Sequence, residues 1–222
     1  MKKEKKKINN LYVDGSNLYG TQWELFGPGK YLDFGSLINE IEKIYKLERV
    51  YFYASYSPVP KKYLKRKPPS YILNERLFYR SAMKHPKVIF YRGHRSKTSG
   101  KEKGVDMHMG CDIVKDVLLN IVDRVILMTG DADFAYPVQI TKDYKKKYSL
   151  FTLSNRISFD MIYIVKDYFV LKLKNRFKFP KIPKKLISRL KVRDISEKII
   201  TKQVNSNQKT PYASIQGVLS KH

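Results

Sequence analysis

From residue 8 to residue 173, short β-branched and aromatic runs alternate with stretches whose apolar residues recur every three or four positions, and few architectures accept that alternation. The runs at 8–14 (INNLYVD), 49–55 (RVYFYAS), 87–92 (KVIFYR), 123–129 (DRVILMT), 148–153 (YSLFTL) and 168–173 (YFVLKL) each read as a strand. Leu37, Ile38, Ile41, Ile44 and Tyr45 have helical spacing, as do Val105, Met109, Ile113, Val114, Val117 and Leu118. Further helices are predicted at about 71–84, 134–145 and 158–166. Such alternation covers both faces of a sheet when the strands run parallel and the crossovers are right-handed. The expected fold is α/β, a mainly parallel central sheet between helices. Residues 1–7 read as a basic N-terminal arm, 8–173 as the domain, and 174–222 as a basic C-terminal extension whose start is marked by Pro180 and Pro183. The extension is expected to be a disordered basic arm or a short helical addition whose apolar residues at 186, 187, 190, 195 and 199 can dock on the body.

Charge is distributed unevenly. The chain has 45 Lys and Arg against 20 Asp and Glu, a formal charge of +25. Residues 1–10 carry five Lys and one Glu, 58–103 carry fourteen basic and two acidic residues, and 176–222 carry twelve and two. The remainder is nearly neutral. Lys and Arg gathered in this way suit a polyanion, because each neutralised phosphate releases counterions. A uniformly Lys-painted surface would not leave a neutral body, and no stretch pairs a basic face with a clean apolar one as a membrane-surface helix does. The single cysteine, Cys111, excludes an internal disulfide and a thiolate zinc cage, and it is expected to be a small buried residue. No apolar run approaches the ~18 residues of a membrane span, and no signal core follows MKKEKKK. A cytoplasmic protein without a membrane partner is expected.

Acidic residues are scarce in this chain, so their clustering at strand ends carries weight. Asp14 closes the first strand and is followed by Gly15, Ser16 and Asn17, read as a turn. Asp131 and Asp133 follow the fourth strand, where Gly130 lets the backbone turn. Asp106 and Asp112 lie in the first two turns of the helix VDMHMGCDIVKD. In open parallel sheets the site forms outside the carboxyl ends of the strands, where strand order reverses, and all three groups can meet there. Converging carboxylates repel unless a cation neutralises them; an all-oxygen set suits Mg²⁺ or Mn²⁺ rather than zinc. Such a site suits phosphodiester hydrolysis. Taken singly, each Asp also suits a helix cap or turn.

The ordered set VDGSN (13–17), KGVDMHMGCD (103–112) and TGDADFAYP (129–137), with Asp167-Tyr168-Phe169 opening the last strand, resembles the NYN family, the LabA-like branch of PIN-like nucleases. The resemblance spans roughly 8–173. It implies a PIN-like three-layer α/β/α sandwich and a metal-dependent ribonuclease using Mg²⁺ or Mn²⁺. It also implies metal-binding roles for Asp14, Asp106, Asp131 and Asp133, a supporting acid at Asp112, and Asn17 and Thr129 holding the site's backbone and water. The sequence departs from the family at Lys145, Lys146 and Lys147, where relatives often place a glycine, and in the strongly basic 58–103 segment.

RNA, single-stranded or structured, is the expected partner, with Lys61, Lys62, Lys65, Arg66, Lys67, Arg95, Lys97, Lys101 and Lys103 as candidate phosphate contacts. One or two aromatics near 56–71, among Tyr53, Tyr56, Tyr63 and Tyr71, are expected to stack on bases. His85, His94, His108 and His222 have no mutual ligand spacing; His108, beside Asp106, could touch a phosphate. Three alternatives stay open. One is an RNA-binding regulatory or scaffold module of the same fold with little turnover. The others are a Toprim-like enzyme, weakened by the lack of an early Glu, and a phosphatase, weakened by the lack of Asp-x-Asp at strand one. A homodimer or a larger RNA-processing complex is compatible with the sequence.

Overall fold

The computed structural model describes residues 6–57, 68–96, 102–173 and 184–202. Seven parallel strands form one sheet in the order β10-β9-β8-β7-β1-β3-β4. They are β1 (Asn9–Asp14), β3 (Arg49–Ala54), β4 (Val88–Arg92), β7 (Arg124–Met128), β8 (Lys147–Leu153), β9 (Tyr168–Leu173) and β10 (Val192–Ile195). From β1 the chain adds β3 and β4 on one side, then returns to lay β7 on the other. The reversal of strand order therefore falls between β1 and β7. Two small antiparallel pairs sit outside the sheet: β2 (Lys30–Leu32) with β11 (Ile200–Lys202), and β5 (His94–Arg95) with β6 (Glu102–Lys103).

Alternation along β1 sets the layers. Leu11 and Val13 point into a core shared with α1 (Gly15–Phe26), α2 (Phe34–Glu42) and α3 (Pro69–Met83), while Tyr12 points into a second core shared with α4 (Val105–Leu118), α5 (Ala135–Thr141) and α6 (Phe159–Val165). This period-2 switch is what a strand buried on both faces requires. The result is the expected α/β/α sandwich. Aromatics fill the first core: Phe52 lies between Phe34 (ring centroids 5.1 Å apart) and Phe90 (5.2 Å), so Phe52→Ala should cost ~3–5 kcal/mol.

The structure departs from the sequence reading in four places. Gly15, Ser16 and Asn17 are not a free turn but the first residues of α1, with Asp14 as its N-cap. The helix expected over 134–145 is short: α5 is flanked by 3₁₀ turns at Ala132–Phe134 and Lys142–Tyr144. The C-terminal extension docks through Ile195 and Ile199, as its apolar spacing allowed, but after the short helix α7 (Lys184–Ile187) it does so as the strand β10 rather than as a helix. Cys111 is exposed, because α4 presents it away from the sheet.

Candidate active site

Asp14 and the Thr129–Asp133 loop stand at the carboxyl ends of β1 and β7, the point of strand-order reversal where ligands bind in open α/β sheets. Gly15 and Gly130 allow the close approach. A Cβ on Gly15 would lie 2.1 Å from the Phe52 ring, and one on Gly130 would lie 2.3 Å from the Arg156 carbonyl oxygen. Backbone cannot yield as a flexible side chain can. Gly130→Ala should therefore lower stability by ~1–3 kcal/mol, read as a shifted urea midpoint, with a larger loss of any activity the loop supports.

The two loops are stitched together by side chains. Asn17 N–H donates to Asp14 Oδ1 (2.9 Å), and Thr129 Oγ1 donates to Asp14 Oδ2 (3.2 Å). Asn17 Oδ1 accepts from Gly130 N–H (3.1 Å), while Thr129 Oγ1 accepts from Asp131 N–H (3.0 Å). Asp131 Oδ1 accepts from Asp133 N–H (3.0 Å). Asn17 and Thr129 thus hold backbone and carboxylates in one frame.

Burial is the main force on Asp14. It pushes the carboxyl from its ordinary 3.8 to about 7, with Asp106 and Glu102 adding to the rise and the bonds from Asn17 and Thr129 opposing it. Asp106, at the start of α4, is also raised, by burial first and then by Glu102, Asp131 and Asp133. Asp14, Asp106, Asp131 and Asp133 therefore share one electrostatic neighbourhood.

Asp112 lies elsewhere. Six residues along a helix turn through roughly 240°, so Asp112 cannot share the face of Asp106. It accepts instead from Tyr53 OH (2.9 Å) and Lys115 Nζ (2.7 Å), as Asp116 accepts from Tyr12 OH (2.7 Å). Asp167 is remote as well: it gathers Tyr45, Ser149, Arg124 and Lys191 at the opening of β9, a structural tie.

Glu102, unlike Asp112, is felt by the acids at the strand ends: it adds to the rise of both Asp14 and Asp106. From β6 it accepts from Ser16 Oγ (2.8 Å), Ser55 Oγ (2.5 Å) and Arg95 (3.1 Å), binding the β5–β6 hairpin to the ends of β1 and β3. The sequence reading absorbed it into a basic segment. Its position in that segment, two residues before Gly104 and four before Asp106, was the signal available. Arg95 is correspondingly not a surface phosphate contact. It turns inward, with its side chain only 16% exposed, and donates to the Ser55 and Tyr56 carbonyls as well as to Glu102. Glu102→Ala would take the carboxylate from that guanidinium and from the Ser16 and Ser55 hydroxyls, and a loss of ~1–3 kcal/mol is expected in urea denaturation.

Of the other candidate RNA contacts, Lys103 is exposed on β6, and Lys61, Lys62, Lys65, Arg66, Lys67, Lys97 and Lys101 lie outside the described residues. The aromatic expectations change too. Tyr53 is buried in the core, and the partly buried Tyr71 packs against the core edge-on to Tyr19 and Trp23; Tyr63 lies outside the described residues. Tyr56 packs on Tyr79 and lies under Arg76 (5.7 Å) and Arg92 (5.3 Å). His108 stacks on Tyr91 with centroids 4.2 Å apart.

Among the described residues, no three His, Cys, Asp or Glu side chains stand close enough together to share one ion. The donor chemistry nonetheless fits a hard cation. Mg²⁺ typically uses one or two carboxylates and keeps several waters, and the burial and neighbouring negative charge that raise Asp14 and Asp106 are what a cation would offset.

A seven-stranded parallel sheet between two helical layers, with carboxylates at its strand-order reversal, defines a PIN-like α/β domain. A family model of the NYN domain matches residues 10–171, and the chain belongs to that family, whose members are generally nucleases. A crystal structure of a protein of unknown function from Vibrio parahaemolyticus has a similar fold, with a TM-score of 0.56 and 21% identity over 80% of this chain and 99% of that one. No curated protein matches the chain. No helix among the described residues is long and apolar enough to cross a membrane.

Proposed function

We propose that this chain is a metal-dependent endoribonuclease. The observation that carries the reading is the placement of Asp14, Asp106, Asp131 and Asp133 in one electrostatic neighbourhood at the β1/β7 switch point, framed by Asn17 and Thr129. Those four acids would hold Mg²⁺ or Mn²⁺, directly or through waters. When bound, the ion supplies charge neutralisation and an activated water for in-line phosphodiester hydrolysis.

The protein's own part is placement. Thr129 and the Asn17 amide fix both oxygens of Asp14, so that carboxylate cannot rotate away from the strand end. The 3₁₀ turn at Ala132–Phe134 carries the exposed Asp133, the first turn of α4 carries Asp106, and both line the groove between α4 and α5. Lys103 and the basic segments outside the described residues would draw in the RNA backbone, giving binding that weakens with salt.

Hydrolysis by this route expels the 3′-oxygen and leaves a 5′-phosphate. It needs no substrate 2′-hydroxyl. Purified protein should cut labelled RNA in Mn²⁺, stop in EDTA, and still cut an oligonucleotide carrying a single 2′-deoxy residue at the cut site. Cyclic 2′,3′-phosphate ends formed undiminished in EDTA would defeat the proposal. RNA binding without cleavage under any divalent cation would instead establish a binding module.

A further inference from the structure

The outer face of the α4–α5–α6 layer carries a concentration of exposed apolar side chains. Among the described residues, Met107 (71% exposed), Leu118, Leu119, Tyr136, Ile140 and Tyr163 (81% exposed) all lie on this layer or its edges. Between α4 and α5 an open groove of about 700 Å³ runs from Asp106 and Asp133 at the strand-end site towards Leu118 and Leu119. A groove with almost wholly apolar walls, flanked by further exposed apolar side chains, is the kind of surface an interaction site presents.

The chemistry of the face decides what covers it. RNA would need a basic lining, yet the groove's cation is Lys115, already paired with Asp112 at 2.7 Å, and the other charges on it are Asp106 and Asp133. An anionic membrane would need a basic rim for the same reason. Residues 105–165, which build this layer and its strands, carry seven Lys and Arg against eight Asp, so the chain's excess positive charge lies outside them. Two copies of a +25 chain repel one another through every basic surface and can approach closely only where that excess is missing. This face meets the condition on both copies at once.

The dimensions also suffice. At ~1.5 Å per residue a helix as long as α4 runs roughly 20 Å, and neighbours packed 8–10 Å apart widen the layer to about the same. That footprint, roughly 400 Å² before side-chain relief, suits the small, weak class of interface, under ~600 Å² per partner, and so a micromolar dimer.

We propose that the chain forms an isologous two-fold dimer through the α4–α5 face, each copy laying its exposed α4 ridge against the groove of the other. Closed two-fold pairing is the commonest symmetry of soluble oligomers. It sets the two strand-end sites at the rim of one interface and leaves both α1–α3 layers facing outward. The inference is independent of whether the site cuts RNA.

Sedimentation velocity on the full chain up to about 100 μM, where a micromolar dimer is well populated, should give twice the 26.1 kDa chain mass. Leu118→Glu with Leu119→Glu should return the mass of one chain, with an unchanged circular dichroism spectrum. Cys111, exposed on the same face, supplies a reading that needs no variant: its alkylation should slow several-fold as wild-type concentration rises. A wild-type chain that stays monomeric at the highest concentration overturns the proposal. So does a dimer that survives the double substitution with Cys111 alkylation independent of concentration, since it would use another face.

Discussion

Asp131→Asn should abolish RNA cleavage while RNA binding survives or tightens. The change conserves shape, so the bond from Asp133 N–H to the residue-131 side chain can persist through the amide oxygen and the loop keeps its form. What is lost is one negative charge from a neighbourhood that already includes Asp106 and Asp133. Groups that merely orient a metal's ligands cost ~10–100-fold when removed, and one facing the ion directly should cost at least the upper end of that range. Binding rests on Lys and Arg against phosphate, which the substitution leaves alone and from which it removes one repelling carboxylate. Filter binding and single-turnover cleavage on the same RNA separate the two effects. If Asp131→Asn and Asp133→Asn both cut at the wild-type rate, the site lies elsewhere or the cleavage belongs to a contaminant.

The strands were legible because their signal is local. Each of the six predicted runs corresponds to an observed strand within one residue at either end, since β-branched and aromatic residues in a doubly buried sheet leave a continuous apolar run. The seventh strand, VRDI, has no such run: β10 is an edge strand paired on one side only, and its register with β9 is a tertiary fact. Asp14, Asp131 and Asp133 could be set at one edge of the sheet because the first closes a strand and the others follow one within five residues, and parallel strands end at the same edge. Asp112 misled because sequence proximity to Asp106 was weighed without the helical angle between them. Glu102 and Arg95 escaped because net charge averages over a segment, whereas an inward-turned ion pair depends on which side chains meet Ser16 and Ser55. Contacts between residues far apart in sequence leave no periodic trace.

Removing the charge from Asp14 should stabilise the metal-free protein and disable it together. In the unfolded chain this carboxyl ionises near 3.8, whereas in the fold, at 3% exposure, it keeps its proton until about 7. Between those values the folded state holds the extra proton, so stability is highest at low pH and falls as pH rises through the window. A displacement of this size corresponds to roughly 4 kcal/mol lost by pH 8. Asp14→Asn keeps an oxygen for the Asn17 amide and cannot ionise. Its urea midpoint in EDTA should therefore exceed the wild-type value at pH 8 and converge with it below pH 4, and the difference isolates Asp14 from Asp106, which shifts in the same direction. A divalent cation should close the gap at pH 8 by stabilising wild type and not the variant, because it binds the ionised carboxylate. Equal midpoints at pH 8 in EDTA would mean that Asp14 ionises in the fold at little cost, and that burial and its acidic neighbours do not hold its proton.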